Sequence, residues 1–364
     1  MRIETYRVPG HFDGRECFVH ARACHIGGGD YVMTLQKLDV SGSDLFSPLY
    51  ASYSSDGGRS WSEPRPDDAF TVRTDADGTR RLGCDATPLL HRATGTVILC
   101  GHTVAYAPGQ KVPISGGVRQ TFYSTLDRAN RRFTPARIVE VPDSYEFGCA
   151  TGCSQFVEDT NGDLLIPVAI PRGGSYATGV MRCEFDGETL RYKGMSNELY
   201  IDVPRGLYEG SLCKFGGRWL LTLRNDAYGH FSVGDTPESF GEPRLWRWDD
   251  GEVLENYNTQ QHWLELGGSL YLVYTRRAGN NDHVFRHRAP LFMSRVDPDT
   301  MRLVRESEII VVPERGARLG NFGVTMVDEN HALITAAEWM QPKGCEKYGS
   351  DNTIFAVHVY SAIV

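Results

Sequence analysis

YEGSLCKFGGRWLLTLR, residues 208–224, is an apolar run that meets Gly-Gly and returns as a second apolar run. Each run is too short for a globular helix and lacks 3.6-residue periodicity, so the stretch reads as a β-hairpin. The same grammar recurs five more times: FVHARACHIGGGDYVMTLQ (18–36), DATPLLHRATGTVILCGH (85–102), TGCSQFVEDTNGDLLIPVAI (151–170), TQQHWLELGGSLYLVYTR (259–276) and LGNFGVTMVDENHALITAAEW (319–339). The starts lie about 50–67 residues apart, room for a four-stranded antiparallel sheet each time. Sheets repeated around an axis make a β-propeller. The chain therefore predicts one all-β, six-bladed propeller over residues 1–364. RIETYRV (2–8) and NTIFAVHVYSAIV (352–364) suit the strands that close the ring.

Composition narrows the function. Across 364 residues Asp and Glu (46) outnumber Lys and Arg (38), for a formal charge of −8. No basic block supplies the counterion release that nucleic acid requires, and no apolar run approaches a membrane span of roughly 20 residues. The first residues lack the apolar core of a signal peptide, which predicts a cytoplasmic protein. The nine cysteines are odd in number and mostly sit in apolar runs, so they are expected to be reduced and buried. CATGC (149–153) lacks the second pair that a zinc knuckle needs.

Tyr53-Ser54-Ser55-Asp56-Gly57-Gly58-Arg59-Ser60-Trp61 reads as a strand entering a tight turn. Asp56 would accept backbone N–H bonds, glycine permits positive φ, and Trp61 would plug the strands. Ser124–Asp127, Ser232–Phe240 and Ser294–Asp297 are weaker echoes. These aspartates are structural.

In each repeat the start of the first strand and the end of the second share one face of the ring. That face collects His20, Arg22 and Lys37, then Asp85 and His102, then Thr151, Ser154 and Arg172. It continues with Tyr208, Glu209, Arg224, Asn225 and Asp226, then Gln260, Gln261, His262, Arg276 and Arg277, and ends with Asn321, Glu338 and Trp339. The loop GNNDHVFRHRAP (279–290) adds Asp282, His283, Arg286, His287 and Arg288. The turns on the opposite face are bland. Polar chemistry concentrated at one mouth of a propeller points to a binding site there. Several arginines aimed at one place suit a carboxylate, whose two oxygens match the guanidinium fork.

SSDGGRSW matches the Asp-box Ser-x-Asp-x-Gly-x-Thr-Trp with Ser60 in place of Thr, and with the six-fold repeat it resembles the sialidase (neuraminidase) superfamily. The resemblance implies a carbohydrate-active enzyme in which Arg22, Arg224 and Arg288 hold a substrate carboxylate. It further implies that Glu209 activates the nucleophile and Glu338 orients the first arginine, with Asp39 or Asp44 as acid/base. Tyr6-Arg7-Val8-Pro9 looks like the family's Arg-Ile-Pro motif, but a strand too early. The family's tyrosine nucleophile opens the last blade, where this chain reads Arg318-Leu319-Gly320-Asn321-Phe322-Gly323.

Histidine supplies alternative proton chemistry through His102, His262 and His287, with Asp85 and Arg276 as further substrate contacts. The residues require no cofactor, but His230, His283 and His287 could hold a divalent metal. Three functions follow as expectations: exo-hydrolysis of a terminal acidic sugar, elimination from a uronate-containing glycan using His or Tyr, or glycan binding without catalysis. The expected partner in each case is an acidic oligosaccharide.

Overall fold

The computed structural model describes residues 1–42 and 44–361. Six antiparallel sheets follow one another around a central axis. Blade one holds Glu16–Gly27, Asp30–Asp39, Phe46–Ser54 and Arg65–Pro66. Blade two is built on Arg80–His91, Thr96–Tyr106 and Thr121–Asp127. Blade three comprises Val157–Glu158, Leu164–Arg172, Ser175–Phe185 and Leu190–Met195. Blade four has Tyr208–Phe215, Arg218–Arg224, His230–Gly234 and Arg244–Leu245. Blade five has His262–Leu266, Ser269–Tyr274 and Leu291–Asp297 at its centre.

Blade six runs Gly323–Asp328, His331–Trp339 and Ile354–Tyr360, and its outermost strand is Arg2–Val8 from the other end of the chain. The closure runs in unbroken antiparallel register from Arg2 opposite Tyr360 to Val8 opposite Ile354. The ring is thus sealed by seven consecutive residue pairs, and both anticipated segments supply it. Residues 362–364 of the second segment lie outside the described residues. Arg7 sits in this outermost strand, far from the axis.

Apolar side chains between adjacent blades form the core. One cluster joins blades five and six through Leu264, Val273, Ile334 and Val357; another joins blades two and three through Ile98, Ile166 and Met181. At the edge of blade one, Asp56 Oδ1 accepts the Ser60 N–H at 2.9 Å and Oδ2 the Ser60 hydroxyl at 2.7 Å, while Trp61 Nε1 donates to Gly58 O at 2.9 Å. Asp127 and Asp297 cap their own turns in the same manner. Blade three departs from expectation: residues 151–156 form no continuous strand. Cys153 has φ 57°, a left-handed turn that breaks the ladder.

Candidate active site

One backbone device recurs at the mouth. His20 (φ 59°), Asp85 (φ 53°), Cys153 (φ 57°) and Glu209 (φ 48°) open the inner edges of blades one to four, each in the left-handed region. In three of these blades the strand register slips there, between Val19 and Arg22, Cys84 and Thr87, and Tyr208 and Ser211. A bulge inserts one residue and re-aims a side chain. Left-handed non-glycine residues cost about 1–3 kcal/mol each and cluster at functional sites. Four in equivalent places mark this mouth as the candidate site.

Blades one to three contribute a compact polar nest around Asp85. Its Oδ1 accepts from Asn321 Nδ2 at 3.1 Å and from Arg22 Nη2 at 3.4 Å, with His20 Nε2 at 3.7 Å. Its Oδ2 faces His102 Nε2 at 3.5 Å. The Asn321 N–H donates to His20 Nδ1 at 2.8 Å, which leaves the proton of the neutral ring on Nε2. Burial pushes the His20 pKa down to about 4, so the ring is neutral at pH 7. Gly152 lets blade three close on this nest, because a Cβ there would stand 2.1 Å from His102 Cδ2.

Blades four to six contribute guanidinium groups. Arg224 Nη1 donates to Glu209 Oε2 at 2.5 Å and its Nη2 to Asn258 Oδ1 at 2.7 Å. Arg288 donates to the Asn258 carbonyl at 2.6 Å and to Asn321 Oδ1 at 3.4 Å. Arg318 lies 3.4 Å over the Trp339 ring and donates to Gln341 Oε1 at 2.6 Å. All three arginines are buried, and among the described residues the Nε of both Arg224 and Arg318 has no hydrogen-bond partner. Burial, with Arg224 and Arg286 close by, pushes the Arg288 pKa down to about 10. Burial, with Arg288 and Arg286, pushes Arg318 down to about 8. Glu209 opposes the shift at Arg288, and Asp44 opposes it at both. An open cleft with a cavity volume of about 80 Å³ adjoins this centre, lined among others by His102, Arg119, Tyr176, Arg205, Tyr208 and Glu209. Tyr208 hydrogen-bonds Asp226, which also pairs with Arg205 at 3.2 Å.

Several expected residues lie elsewhere. Arg22 points below the nest, to Asp85 and to Ala86 O at 3.5 Å, and lines the cavity of about 530 Å³ at the opposite mouth. The bulge after Val19 reverses the alternation, so His20 takes the mouth position and Arg22 does not. That opposite cavity is the larger, but much of its lining is strand side chains such as Pro88, Leu89 and Val324, so its size does not make it the site. Glu338 accepts the Asp351 and Thr353 N–H groups and pairs with Arg315 at 3.5 Å, not with Arg22. Arg276 is held at 2.6 Å by Glu308. His262 is buried between Ser211 Oγ at 2.7 Å and Phe322 O at 3.0 Å, which commits both ring nitrogens to structure.

The anticipated metal histidines do not converge. His230 bonds Tyr228 O, His283 pairs with Glu314, and His287 bonds Tyr257 and Asp282. Asp39 pairs with Arg15, whereas Asp44 acts on His20, Arg288 and Arg318 at the mouth. Sequence reasoning missed Arg318, Arg119 and the Cys84 thiol. Arg318 opens the very segment searched for a tyrosine, and a search for guanidinium groups there would have found it.

No protein-family model and no curated protein sequence matches the chain. Solved structures do. A Dyadobacter fermentans protein of unknown function aligns over 99% of both chains at 15% identity, with a TM-score of 0.69. A Hadza microbial sialidase aligns over 95% of this chain and 66% of its own at 12% identity (TM-score 0.64). Trypanosoma rangeli sialidase aligns over 97% of this chain and 57% of its own at 15% identity (TM-score 0.62). The chain therefore spans less than two thirds of either sialidase chain. The architecture is that of the sialidase-like six-bladed β-propellers.

Proposed function

We propose that the protein is a sialidase-like glycoside hydrolase that releases a terminal acidic sugar, with the sugar carboxylate seated on Arg224, Arg288 and Arg318. The excess of buried cation at the mouth carries this reading. Around Arg288 and Arg318, three buried guanidinium groups (Arg224, Arg288, Arg318) and the exposed Arg286 act against two carboxylates (Glu209, Asp44). Guanidinium stays charged in proteins, and a buried uncompensated charge is costly, so such a centre favours an anion. A planar carboxylate fits it bidentately. The adjoining cleft offers Tyr176 and Tyr208 as ring platforms. Glu209 and Asp44 are the groups placed to move protons.

Elimination from a uronate is the second reading, and Asn321 favours it. It stands where the resemblance places a nucleophilic tyrosine, and its amide is committed to Asp85 and Arg288. A clamped carboxylate acidifies the neighbouring C–H, and elimination needs a base but no nucleophile. Mass balance on a pool of acidic oligosaccharides decides. Products exceeding the parent by one water establish hydrolysis. Products summing to the parent, one of them unsaturated, establish elimination. Binding without cleavage would sink both and leave a glycan-binding propeller.

A further inference from the structure

We infer that Cys84, Asp85 and His102 form a binding site for a divalent transition metal, with zinc the best match to the donors. Cys84 Sγ, an Asp85 carboxylate oxygen and a His102 ring nitrogen all lie within 4.8 Å of one another, and all three residues are buried. Among the described residues no other group of three such donors comes together.

The hydrogen-bond inventory of His102 makes the case. Its Nδ1 lies 3.0 Å from Thr103 O, and a carbonyl only accepts, so Nδ1 carries a proton. In the neutral ring Nε2 is then a lone pair, and it faces Asp85 Oδ2 at 3.5 Å, another acceptor. A proton or a cation belongs between them: the Cys84 thiol proton, with Sγ 3.5 Å from Nε2, a second ring proton, or a metal ion.

Distance separates the second ring proton from the metal ion. A charge-assisted N–H···O⁻ bond closes to about 2.7–2.9 Å, and 3.5 Å is well outside that range. Metal bonds of about 2.3 Å to sulfur and about 2.0–2.1 Å to nitrogen or oxygen place tetrahedral ligand atoms about 3.4–3.6 Å apart. The Nε2–Oδ2 separation is 3.5 Å, and so is Nε2 to Cys84 Sγ. The sulfur also lies 3.7 Å from Nδ1, nearly equidistant from the two ring nitrogens and off the Nε2 lone-pair axis, so ligation requires the thiol to turn toward Nε2.

The surroundings are those of a ligand set. Metal-bound histidines characteristically donate their other N–H to a carbonyl, as His102 does to Thr103. Asp85 Oδ1 is fixed by Asn321 and Arg22, which leaves Oδ2 for the metal. Thiolate, imidazole and carboxylate together suit a borderline-soft ion, and three protein ligands leave a fourth position for water or substrate. This site does not depend on which bond the mouth cleaves.

The test uses the full chain purified without chelator, metal analysis by mass spectrometry, and cobalt substitution read by optical absorption. The expected result is one zinc per chain and, with Co²⁺, a thiolate-to-metal charge-transfer band. Cys84→Ser abolishes that band, His102→Gln lowers metal content at least tenfold, and Cys213→Ser, a thiol elsewhere in blade four, changes neither. Should Cys84→Ser fail to fold, the wild-type cobalt spectrum decides alone. Absence of metal and of any thiolate–cobalt band in folded wild-type protein overturns the site. So does metal that survives both Cys84→Ser and His102→Gln.

Discussion

The two halves of the mouth are built by the same ring and equipped in opposite senses. Blades one to three present a carboxylate, two imidazoles and two thiols: Asp85, His20, His102, Cys84 and Cys153. Blades four to six present Arg224, Arg288 and Arg318, with Glu209 as the acid that engages Arg224 directly. Asn321 spans the divide, its Nδ2 on Asp85 and its Oδ1 receiving Arg288. The difference teaches a division of labour. On the proposed reading the guanidinium half takes the anion, and the opposite half handles protons or a metal. A substrate with one carboxylate and one reactive bond would lie across Asn321.

The largest effect should come from the guanidinium half. Arg318→Met lowers kcat/KM on the acidic substrate by at least about 100-fold, within the roughly 2–5 kcal/mol expected when one partner of a buried charge pair is truncated. Arg276→Met, where the arginine is already neutralised by Glu308 away from the mouth, changes it by less than about threefold. Steady-state kinetics on both variants checks this. Equal losses would erase the distinction between the arginine centre and the rest of the rim.

Next comes stabilisation by ligand. A saturating acidic monosaccharide, at about 100 times its Kd, adds about 2.7 kcal/mol to the stability of the folded state and raises Tm by about 2–5 °C. A neutral monosaccharide of the same size leaves Tm unchanged. Thermal melts with both sugars test it, and an equal shift from each would mean that the cations do not select the ligand.

The bridge should matter less than either half. Asn321→Ala lowers kcat/KM by about tenfold, which is about 1.4 kcal/mol and near the low end of the roughly 1.5–3 kcal/mol of hydrogen bonds to charged groups. In a double-mutant cycle with Arg288→Lys the two changes couple by about 1 kcal/mol. Strict additivity would show that the halves act independently and that Asn321 is only packing.

The sequence made the ring legible and the mouth only in part. Hairpins announce themselves by apolar runs around Gly, and the closing strands by their length and position. Asp85, His102, Glu209, Arg224 and Arg288 lie at the expected mouth because blade geometry puts strand starts and ends on one face. Arg22 was misplaced because a bulge at a non-glycine residue leaves no mark in the letters. Nothing about His20 signals φ 59°, yet that angle sends it to the mouth and Arg22 below. His262 was misjudged because strand alternation cannot tell a rim position from one covered by Phe322.

The smallest prediction separates the mouth from the ring's closure. His331 Nε2 lies 2.7 Å from His358 Nδ1, and His358 Nε2 donates to Gly58 O at 3.3 Å, so the proton order is fixed along the pair while both rings are neutral. Burial, then the neighbouring His358, lowers the His331 pKa to about 4; burial lowers His358 as well. The unfolded value is near 6.5. Between pH 6.5 and about 4 the unfolded chain therefore binds more protons than the folded one, so stability rises with pH across that window. The contribution is fully present above pH 6.5 and is lost as the pH falls toward 4. Because His331 is only half-buried, the effect is discounted to about 1 kcal/mol. His331→Gln keeps a donor toward His358 and removes the titration, so its Tm should decline less than wild type from pH 6.5 to 4. Parallel Tm–pH curves would place the acid sensitivity elsewhere, and the mouth would be the next place to look. Divergent curves would assign it to the closing blade, so that any acid limb in activity above the unfolding range belongs to the mouth alone.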